Sequence, residues 1–359
     1  MEQLHGRVAV VTGGAKRLGK AIVLALAQNG CNVVVNYRTS AADAAETVAA
    51  ARAAGVRAMA VQADAACRAD VDRLLQLTLA EFGRVDVLVA NAGTFRRTPL
   101  ASLTDADWEE MLTDNLRAAF VCAQHFGLHM QAQGSGVIIT LADVAGIRPW
   151  VDYLPYSVAK AGVIALTQGL AKELAPTVRV NAVAPGPVLF PEAFDPEVRA
   201  REIVRTLLQR EGAPHHIADA VLALVRNDYI TGVVWVDFPE AKSVLHLLRG
   251  RELKLGVVSN ATDLVRRVLD NLDLTRDFDF IIVSSEVGVN KPSSRIFQLA
   301  VEKARTSPNR MIYVGDKLST DVVGASKAGM NAILVDRANV YPDADCLRIK
   351  DLNFFRNFL

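Results

Sequence analysis

The sequence has few cysteines and almost no net charge, and both shortages limit what the protein can be. Its four cysteines are scattered and include no Cys-x-x-Cys pair, which argues against a zinc site or a disulfide framework and predicts a reducing environment. Forty lysines and arginines nearly balance 39 aspartates and glutamates, leaving a charge of +1. This balance gives no electrostatic reason to expect nucleic acid or an anionic membrane as a partner.

Long apolar runs are missing as well. The first residues show no basic stretch followed by an apolar run, and no segment approaches the roughly 20 apolar residues that span a bilayer. We therefore expect a cytoplasmic protein without a membrane partner. The sequence does provide 359 residues that are 51% hydrophobic, which is enough for two domains with sizeable cores.

The first 238 residues alternate between short β-branched runs and helical segments. Strands are predicted at 7–12, 31–37, 56–62, 85–90, 136–140, 178–183 and 230–236. Helices are predicted at 20–28, 41–54, 69–82 and 116–132, with another that Thr104 and Asp107 would cap. This alternation predicts an α/β fold with a doubly wound, Rossmann-type parallel sheet. Ligands bind such sheets beyond the carboxyl ends of the strands.

A glycine-rich turn follows the first predicted strand. It runs from Gly13 through Arg17 and Leu18 to Gly19 and leads into a helix. Glycines let backbone N–H groups approach an anion, and a helix N-terminus favours negative charge. The turn therefore predicts a pyrophosphate site for a dinucleotide, with Arg17 adding positive charge.

The ends of the next two strands indicate which dinucleotide is bound. An acidic residue after the second strand is typical of NAD sites, whereas an arginine there is typical of NADP sites. This chain has Arg38 and Ser40 at that point and no acid. We therefore predict NADPH, with Asp64 after the third strand accepting a hydrogen bond from the adenine amino group.

Tyr156 and Lys160 are four residues apart in a predicted helix, which places them one turn apart on one face. An ammonium close to a phenol favours the phenolate. The pair is therefore suited to exchange a proton near neutral pH.

Residues 5–237 resemble the short-chain dehydrogenase/reductase family. The matching motifs, in the family's order and spacing, are Thr12-Gly13…Gly19, Asp64, Asn91-Ala92-Gly93, Asn115, Tyr156-x-x-x-Lys160 and Pro185-Gly186. The resemblance implies an oxidoreductase that acts on a small molecule and forms a homo-oligomer.

The resemblance also implies a role for each motif. Tyr156 would be the proton donor, and Lys160 would hold the nicotinamide ribose and lower the pKa of Tyr156. Asn115 would support a water that links Lys160 to solvent. Asn91 and Gly93 would line the cofactor site, and the Pro185-Gly186 loop would cover the nicotinamide.

Two departures from the family resemble its pteridine reductase branch. Asp143 stands thirteen residues before Tyr156, where most members have serine, and Arg17 replaces a central glycine. Phe95 falls where that branch stacks a pterin ring against the nicotinamide, and Tyr153 also agrees with the branch. An aspartate can relay a proton through a tyrosine to a ring nitrogen, so a pterin-like C=N substrate is expected, with a carbonyl substrate as the alternative.

Residues 239–359 form a second run of alternating elements, predicted as a separate domain with one compact parallel sheet. Strands are predicted at 253–260, 280–284, 311–316 and 332–336, and helices at 241–249, 263–271, 294–304 and 321–328. This half resembles the later part of a haloacid dehalogenase-like hydrolase. The resemblance implies that Ser259 and Lys291 hold phosphate and that Asp316 and Asp321 hold Mg²⁺ weakly.

The nucleophile motif of that hydrolase family, Asp-x-Asp-x-Thr, is missing from this second half, together with the first strand that carries it in the family and the cap insert that follows it. Asp237 precedes a suitable helix, but Pro239 takes the place of the second aspartate. We therefore expect a truncated domain fused to a reductase and unable to form an aspartyl-phosphate. The alternatives are an Mg²⁺-dependent phosphatase and a non-catalytic NADPH-binding fusion.

Overall fold

The computed structural model describes residues 4–190, 194, 196–205, 210–236, 240–260, 265–266, 269, 274–336, 340–352 and 354–355. The chain divides into two compact units. The first comprises residues 1–203 and 210–237, and the second comprises residues 204–209 and 238–359.

The first unit is built on a seven-stranded sheet in which every pairing is parallel. Its strands are β1 (Val8–Val11), β2 (Asn32–Tyr37), β3 (Ala58–Gln62), β4 (Val87–Ala90), β5 (Gly136–Leu141), β6 (Val178–Ala184) and β7 (Val234–Val236). The strand order is β3-β2-β1-β4-β5-β6-β7. The order reverses between β1 and β4, and the carboxyl ends of these two strands open the crevice where such folds bind ligands. The predicted doubly wound sheet is confirmed.

Helices cover both faces of this sheet. The helices between residues 17 and 226 are α1 (Arg17–Gln28), α2 (Ala41–Ala53), α3 (Arg68–Phe82), α4 (Asp105–Leu112), α5 (Ala118–Gln133), α6 (Leu154–Glu173), α7 (Pro196–Arg205) and α8 (Pro214–Arg226). One core packs α1, α2 and α8 on the sheet, and a second packs α3 and α5 on its other face. Every residue of β1 is buried, which explains its continuous apolar sequence.

The segment between α4 and α5 differs from the expected continuous helix. Thr104 and Asp107 form the predicted capping box at the start of α4. A single π-helical turn, Thr113–Arg117, then separates α4 from α5. Turns of this kind frequently mark functional sites, because they change where the side chains of the helix point.

The last strand of the first unit is shorter than predicted. It begins at Val234 rather than Ile230. Gly232 adopts a left-handed conformation with φ +75°, and the Asn181 side chain donates to the Ile230 carbonyl and accepts from the Val233 N–H. A side chain therefore supplies the hydrogen bonds that a longer strand would have made.

The second unit contains further α/β structure. Its strands are β8 (Gly256–Ser259), β9 (Phe280–Val283), β10 (Ile312–Gly315), β11 (Asn331–Val335) and β12 (Leu347–Ile349). Its helices are α9 (Glu240–Arg249), α10 (Ser284–Val287), α11 (Ser294–Ala304) and α12 (Val323–Lys327). Most of the helix predicted at 263–271 lies outside the described residues.

The prediction of one sheet in the second unit is wrong for the residues described. β8 pairs with β9, while β10, β11 and β12 form a separate parallel sheet. The Tyr313 hydroxyl donates to the Val258 carbonyl at 3.1 Å, so a side chain joins β10 to β8. Within the described parts of both units, no helix combines the length and apolar character needed to cross a membrane.

Candidate active site

A cleft of about 570 Å³ opens at the carboxyl edge of the large sheet. It is lined by Gly13, Arg17, Leu18, Gly19, Arg38, Ser40, Asp64, Asn91, Gly93, Phe95, Asn115, Asp143, Tyr156, Lys160, Pro185 and Gly186. The parallel strands and the helices that follow them bring these sequence-distant residues together at one edge. Of the residues predicted for the reductase half, Tyr153 alone is absent from the lining.

Three side chains define the deepest part of the cleft. The Tyr156 hydroxyl donates to the Asp143 carboxylate at 2.9 Å, and the same carboxylate accepts from the Ala145 N–H at 2.8 Å. Lys160 donates to the Leu141 carbonyl at 2.7 Å, with its Nζ 5.6 Å from the centre of the Tyr156 ring. Tyr156 and Lys160 are buried one turn apart on α6, as their spacing predicted.

Burial decides the protonation tendencies of these groups. It raises the pKa of Asp143 and lowers the pKa of Lys160 to about 8. Burial and the facing Asp143 carboxylate also raise the pKa of Tyr156 well above its usual value. The resemblance implied that Lys160 lowers the pKa of Tyr156, whereas the pKa of Tyr156 is raised in this structure. Tyr156 therefore holds a proton and faces a carboxyl group that also tends to take one up.

Asn115 lies in the π turn, and its side chain amide donates to the Met111 carbonyl at 3.0 Å. Its Oδ1 is buried and makes no hydrogen bond within the protein. A Cβ atom on Gly93 would lie 2.6 Å from this oxygen and 3.8 Å from Lys160 Nζ. The absence of a side chain at residue 93 therefore leaves room beside both polar atoms. An acceptor exposed to this space fits a bound polar group or water.

The glycine turn is held against β4 and shaped to receive an anion. The Asn91 side chain donates to the carbonyls of Thr12 and Gly13 at 2.9 and 3.2 Å. A Cβ on Gly19 would lie 2.1 Å from the Gly13 carbonyl oxygen, so only glycine fits there. The helix α1 begins at Arg17, within the glycine turn, and the first N–H groups of a helix have no partner inside it and favour an anion. These residues fit a dinucleotide pyrophosphate.

Arg17 adopts a left-handed conformation with φ +55°, which explains why glycine is usual at this position of the family. Its guanidinium donates to the Leu189 carbonyl at 2.6 Å, and Leu189 is itself left-handed with φ +56°. The glycine turn is thus tied to the loop after Pro185 and Gly186. Further along this loop, residues 191–193 and 195 lie outside the described residues.

At the other end of the cleft, Arg38 forms two hydrogen bonds with Asp114, at 2.9 and 3.3 Å. The predicted residues Ser40 and Asp64 also line this end, and Asp64 accepts from the Ala66 N–H at 2.9 Å. Asp114 is not among the residues predicted from the sequence. Arg38 and Asp114 are 76 residues apart, and no local pattern indicates that they meet.

An aromatic cluster borders the substrate end. Phe95 stacks on Tyr153 with ring centres 4.6 Å apart and an interplanar angle of 9°. The Trp150 ring meets the Phe95 ring edge-on, with ring centres 6.1 Å apart. The Tyr156 ring also meets Phe95 edge-on, with ring centres 5.0 Å apart. Tyr153 therefore supports Phe95 from behind. Trp150 also lines the cleft, although no pattern in the sequence indicates it.

The predicted phosphate and metal residues of the second unit are only partly brought together. The Lys291 ammonium donates to the Asp321 carboxylate at 2.6 Å and to the Tyr313 hydroxyl at 3.0 Å. The Asn260 side chain donates to the Lys291 carbonyl and accepts from the Lys291 N–H. Asp321 is buried against this ammonium, whereas Asp316 is exposed.

These contacts do not fit the predicted Mg²⁺ site. In the part of the chain that the structure describes, no three acidic, histidine or cysteine side chains gather at a point that could hold a metal. The lysine ammonium already neutralises the buried carboxylate of Asp321. Asp237 and Pro239, at the place of the missing nucleophile, lie outside the described residues.

Comparisons with family models match the two halves separately. Residues 7–200 match the short chain dehydrogenase model, and residues 201–335 match a haloacid dehalogenase-like hydrolase model. The second match begins before α8, although α8 contributes Val221 and Leu222 to the core of the first unit.

Curated relatives match the first half. A 3-oxoacyl-[acyl-carrier-protein] reductase of Synechocystis sp. is 41% identical over 237 residues, which cover 65% of this chain and 95% of that protein. A 3beta-hydroxysteroid dehydrogenase 1 of Eggerthella lenta is 38% identical over 239 residues, covering 64% and 92%.

Solved structures agree with these relatives. An NAD⁺-bound xylitol dehydrogenase superposes with a TM-score of 0.62 at 27% identity, covering 66% of this chain and 99% of that one. A 7α-hydroxysteroid dehydrogenase complexed with NADH superposes with a TM-score of 0.63, also at 27% identity, covering 66% and 94%.

Proposed function

Since this chain belongs to the short-chain dehydrogenase/reductase family, we propose that it is an NADPH-dependent reductase of a flat, pterin-like C=N substrate. The observation that carries the proposal is the 2.9 Å hydrogen bond from Tyr156 to the carboxylate of Asp143. A carboxyl group at this point can accept and return a proton, which the serine of most family members cannot do.

The proposed reaction adds a hydride to the carbon of the C=N bond and a proton to its nitrogen. When bound, NADPH supplies the hydride. Tyr156 donates its hydroxyl proton to the nitrogen, and protonated Asp143 restores that proton through their shared hydrogen bond. Burial raises the pKa of Asp143 and so favours its protonated form. The Lys160 ammonium, 5.6 Å from the Tyr156 ring centre, stabilises the transient phenolate.

The substrate end of the cleft supports a flat ring. Phe95 lines the cleft while Tyr153 packs behind it, so the Phe95 ring is held in place before a substrate enters. An aromatic ring held rigidly loses little conformational entropy when another ring stacks on it. Trp150 adds a second aromatic edge beside Tyr156.

A carbonyl substrate is the second candidate. It is favoured by the 41% identity to a protein named 3-oxoacyl-[acyl-carrier-protein] reductase. In that reaction the Tyr156 hydroxyl would protonate a carbonyl oxygen, and protonated Asp143 would donate a hydrogen bond to it, as serine does elsewhere in the family.

One set of assays separates the two candidates. NADPH consumption is measured with dihydrobiopterin, dihydrofolate, a quinone and a β-ketoacyl thioester, using the wild-type chain and the Asp143→Ser variant. We expect turnover of dihydrobiopterin that falls about a hundredfold in Asp143→Ser. Thioester turnover without any pterin turnover would refute the C=N proposal in favour of the carbonyl one.

Tyr156→Phe is the matched control for the chemistry, because it removes one hydroxyl from the cleft. It should abolish turnover of every substrate while leaving NADPH binding intact. NADPH binding by the wild-type chain with no turnover of any substrate would instead indicate a non-catalytic NADPH-binding protein.

The cofactor preference, domain division and assembly belong to the same proposal. Arg38 and Ser40 line the end of the cleft where a 2′-phosphate would lie, which supports NADPH over NADH. The two compact units support domains at 1–238 and 239–359. We expect a homo-oligomer, which light scattering after size exclusion tests directly.

A further inference from the structure

The pair formed by Arg38 and Asp114 lies at the adenine end of the cleft, and both residues line it. Asp114 accepts from both terminal nitrogens of the Arg38 guanidinium, at 2.9 and 3.3 Å. The Arg38 side chain is 52% exposed, whereas the Asp114 side chain is 9% exposed. The carboxylate is therefore the buried member of the pair, and the arginine is the more exposed one.

The position of Asp114 is fixed by the backbone. It belongs to the π turn that also carries Asn115, between α4 and α5. Arg38, in contrast, follows the end of β2 on a long, flexible side chain. The hydrogen bonds and charge of Asp114 raise the pKa of Arg38, and Asp64 and Glu110 add weaker effects in the same direction. Arg38 is thus surrounded by acidic side chains before any cofactor binds.

A 2′-phosphate needs the same guanidinium donors that Asp114 occupies. An arginine fork binds one carboxylate or one phosphate face in the two-pronged geometry seen here. The buried carboxylate also repels a doubly charged phosphate placed near it. The adenosine ribose of NADH carries hydroxyls at its 2′ and 3′ positions and no 2′-phosphate, so NADH does not compete for these donors.

We propose that Asp114 sets the preference between NADPH and NADH, by competing with the 2′-phosphate for the guanidinium of Arg38. The inference rests on the proposed function for the identity of the cofactor. It predicts that the wild-type chain favours NADPH less strongly than a chain in which Arg38 has no acidic partner. Part of the free energy gained by binding the 2′-phosphate is used to separate the ion pair of Arg38 and Asp114.

The test is Asp114→Asn, which keeps the size of the side chain and an oxygen acceptor but removes the charge. Dissociation constants for NADPH, NADH, 2′,5′-ADP and 5′-AMP are measured by calorimetry on the full chain. We expect the constants for NADPH and 2′,5′-ADP to fall about threefold to tenfold. Those for NADH and 5′-AMP should stay the same within about twofold.

A double variant tests whether Asp114 acts through Arg38. In an Arg38→Ala background, Asp114→Asn should change NADPH affinity much less than in the wild type. Glu81→Gln is the control for charge removal, since it disrupts an exposed ion pair with Arg57 that does not line the cleft. It should leave all four constants unchanged.

The possible outcomes are distinct. Weaker NADPH binding by Asp114→Asn would show that Asp114 presents Arg38 to the phosphate. An unchanged ratio of the NADPH and NADH dissociation constants would show that there is no competition. Either result would overturn this inference and leave the proposed function standing. A wild-type chain that binds no nicotinamide nucleotide would refute the proposed function and this inference with it. If Asp114→Asn is unfolded by circular dichroism, Asp114→Ser provides the same comparison with the charge removed.

Discussion

Lys160 is a positive charge buried at the floor of the cleft, and its replacement should stabilise the protein while inactivating it. Its pKa is lowered from 10.5 to about 8, chiefly by burial. A lowered lysine pKa means that the folded state disfavours the charged form. Lys160→Met removes the charge and keeps an unbranched chain of similar length.

The magnitude follows from the two pKa values. Holding Lys160 charged at pH 7 costs the folded state about 3 kcal/mol. The variant also loses the hydrogen bond to the Leu141 carbonyl, worth about 1 kcal/mol. The free energy of unfolding should therefore rise by about 2 kcal/mol at pH 7.

The stability difference between the wild type and Lys160→Met should depend on pH in a definite direction. Between pH 8 and 10.5 the unfolded chain keeps the proton on this lysine and the folded chain does not, so the wild type gains stability as the pH rises. At pH 9.5 the cost of the charge has fallen to about 1 kcal/mol, and the advantage of Lys160→Met should nearly vanish.

The assay is urea unfolding at pH 7 and pH 9.5, followed by circular dichroism and interpreted through the transition of the first unit. Lys172→Met is the matched control, because Lys172 lies on the same helix and is exposed. It should change stability by less than about 0.5 kcal/mol at either pH. A Lys160→Met variant that is less stable at pH 7, or whose advantage does not depend on pH, would refute the reasoning.

Three further substitutions test other parts of the structure. Gly93→Ala should lower turnover at least tenfold with little change in the unfolding midpoint, since its Cβ would lie 2.6 Å from Asn115 Oδ1; unchanged turnover would remove Asn115 from the mechanism. Thr104→Ala should lower the free energy of unfolding by about 1 kcal/mol because it removes the α4 cap. Thr104→Ser keeps a capping hydroxyl and should retain most of that stability. Lys291→Met should destabilise the second unit by about 3 kcal/mol, because Asp321 would stay buried without its cation; calorimetry showing no shift would mean that Asp321 takes up a proton or moves to solvent.

Much of the fold could be predicted because its signals are local. The continuous apolar runs of β1 and β4 are buried on both faces, which is why they stand out in the sequence. The Thr104 capping box and the glycine turn depend only on neighbouring residues. The errors came where distant residues intervene, as where Asn181 satisfies the backbone of 230–233 and leaves β7 short.

The candidate site was predicted to a similar degree and for the same reason. Tyr156 and Lys160 share a helix, so their spacing already places them together. Whether Lys160 or Asp143 controls the proton on Tyr156 depends on burial and on where each charged group points, neither of which is local. In the second unit, the contact between Lys291 and Asp321 likewise depends on how two separate loops pack.

The sequence by itself determined the order of strands and helices in the first unit, the glycine turn and the set of residues predicted for the reductase site. These features follow from side-chain pattern and from contacts within one or two turns of chain. Only the tertiary structure decided that Arg38 meets Asp114, that Tyr153 supports Phe95, and that burial raises the pKa of Tyr156. These contacts and this pKa shift need residues from distant parts of the sequence to meet in a space with little water. That proximity exists only once the sheet has formed.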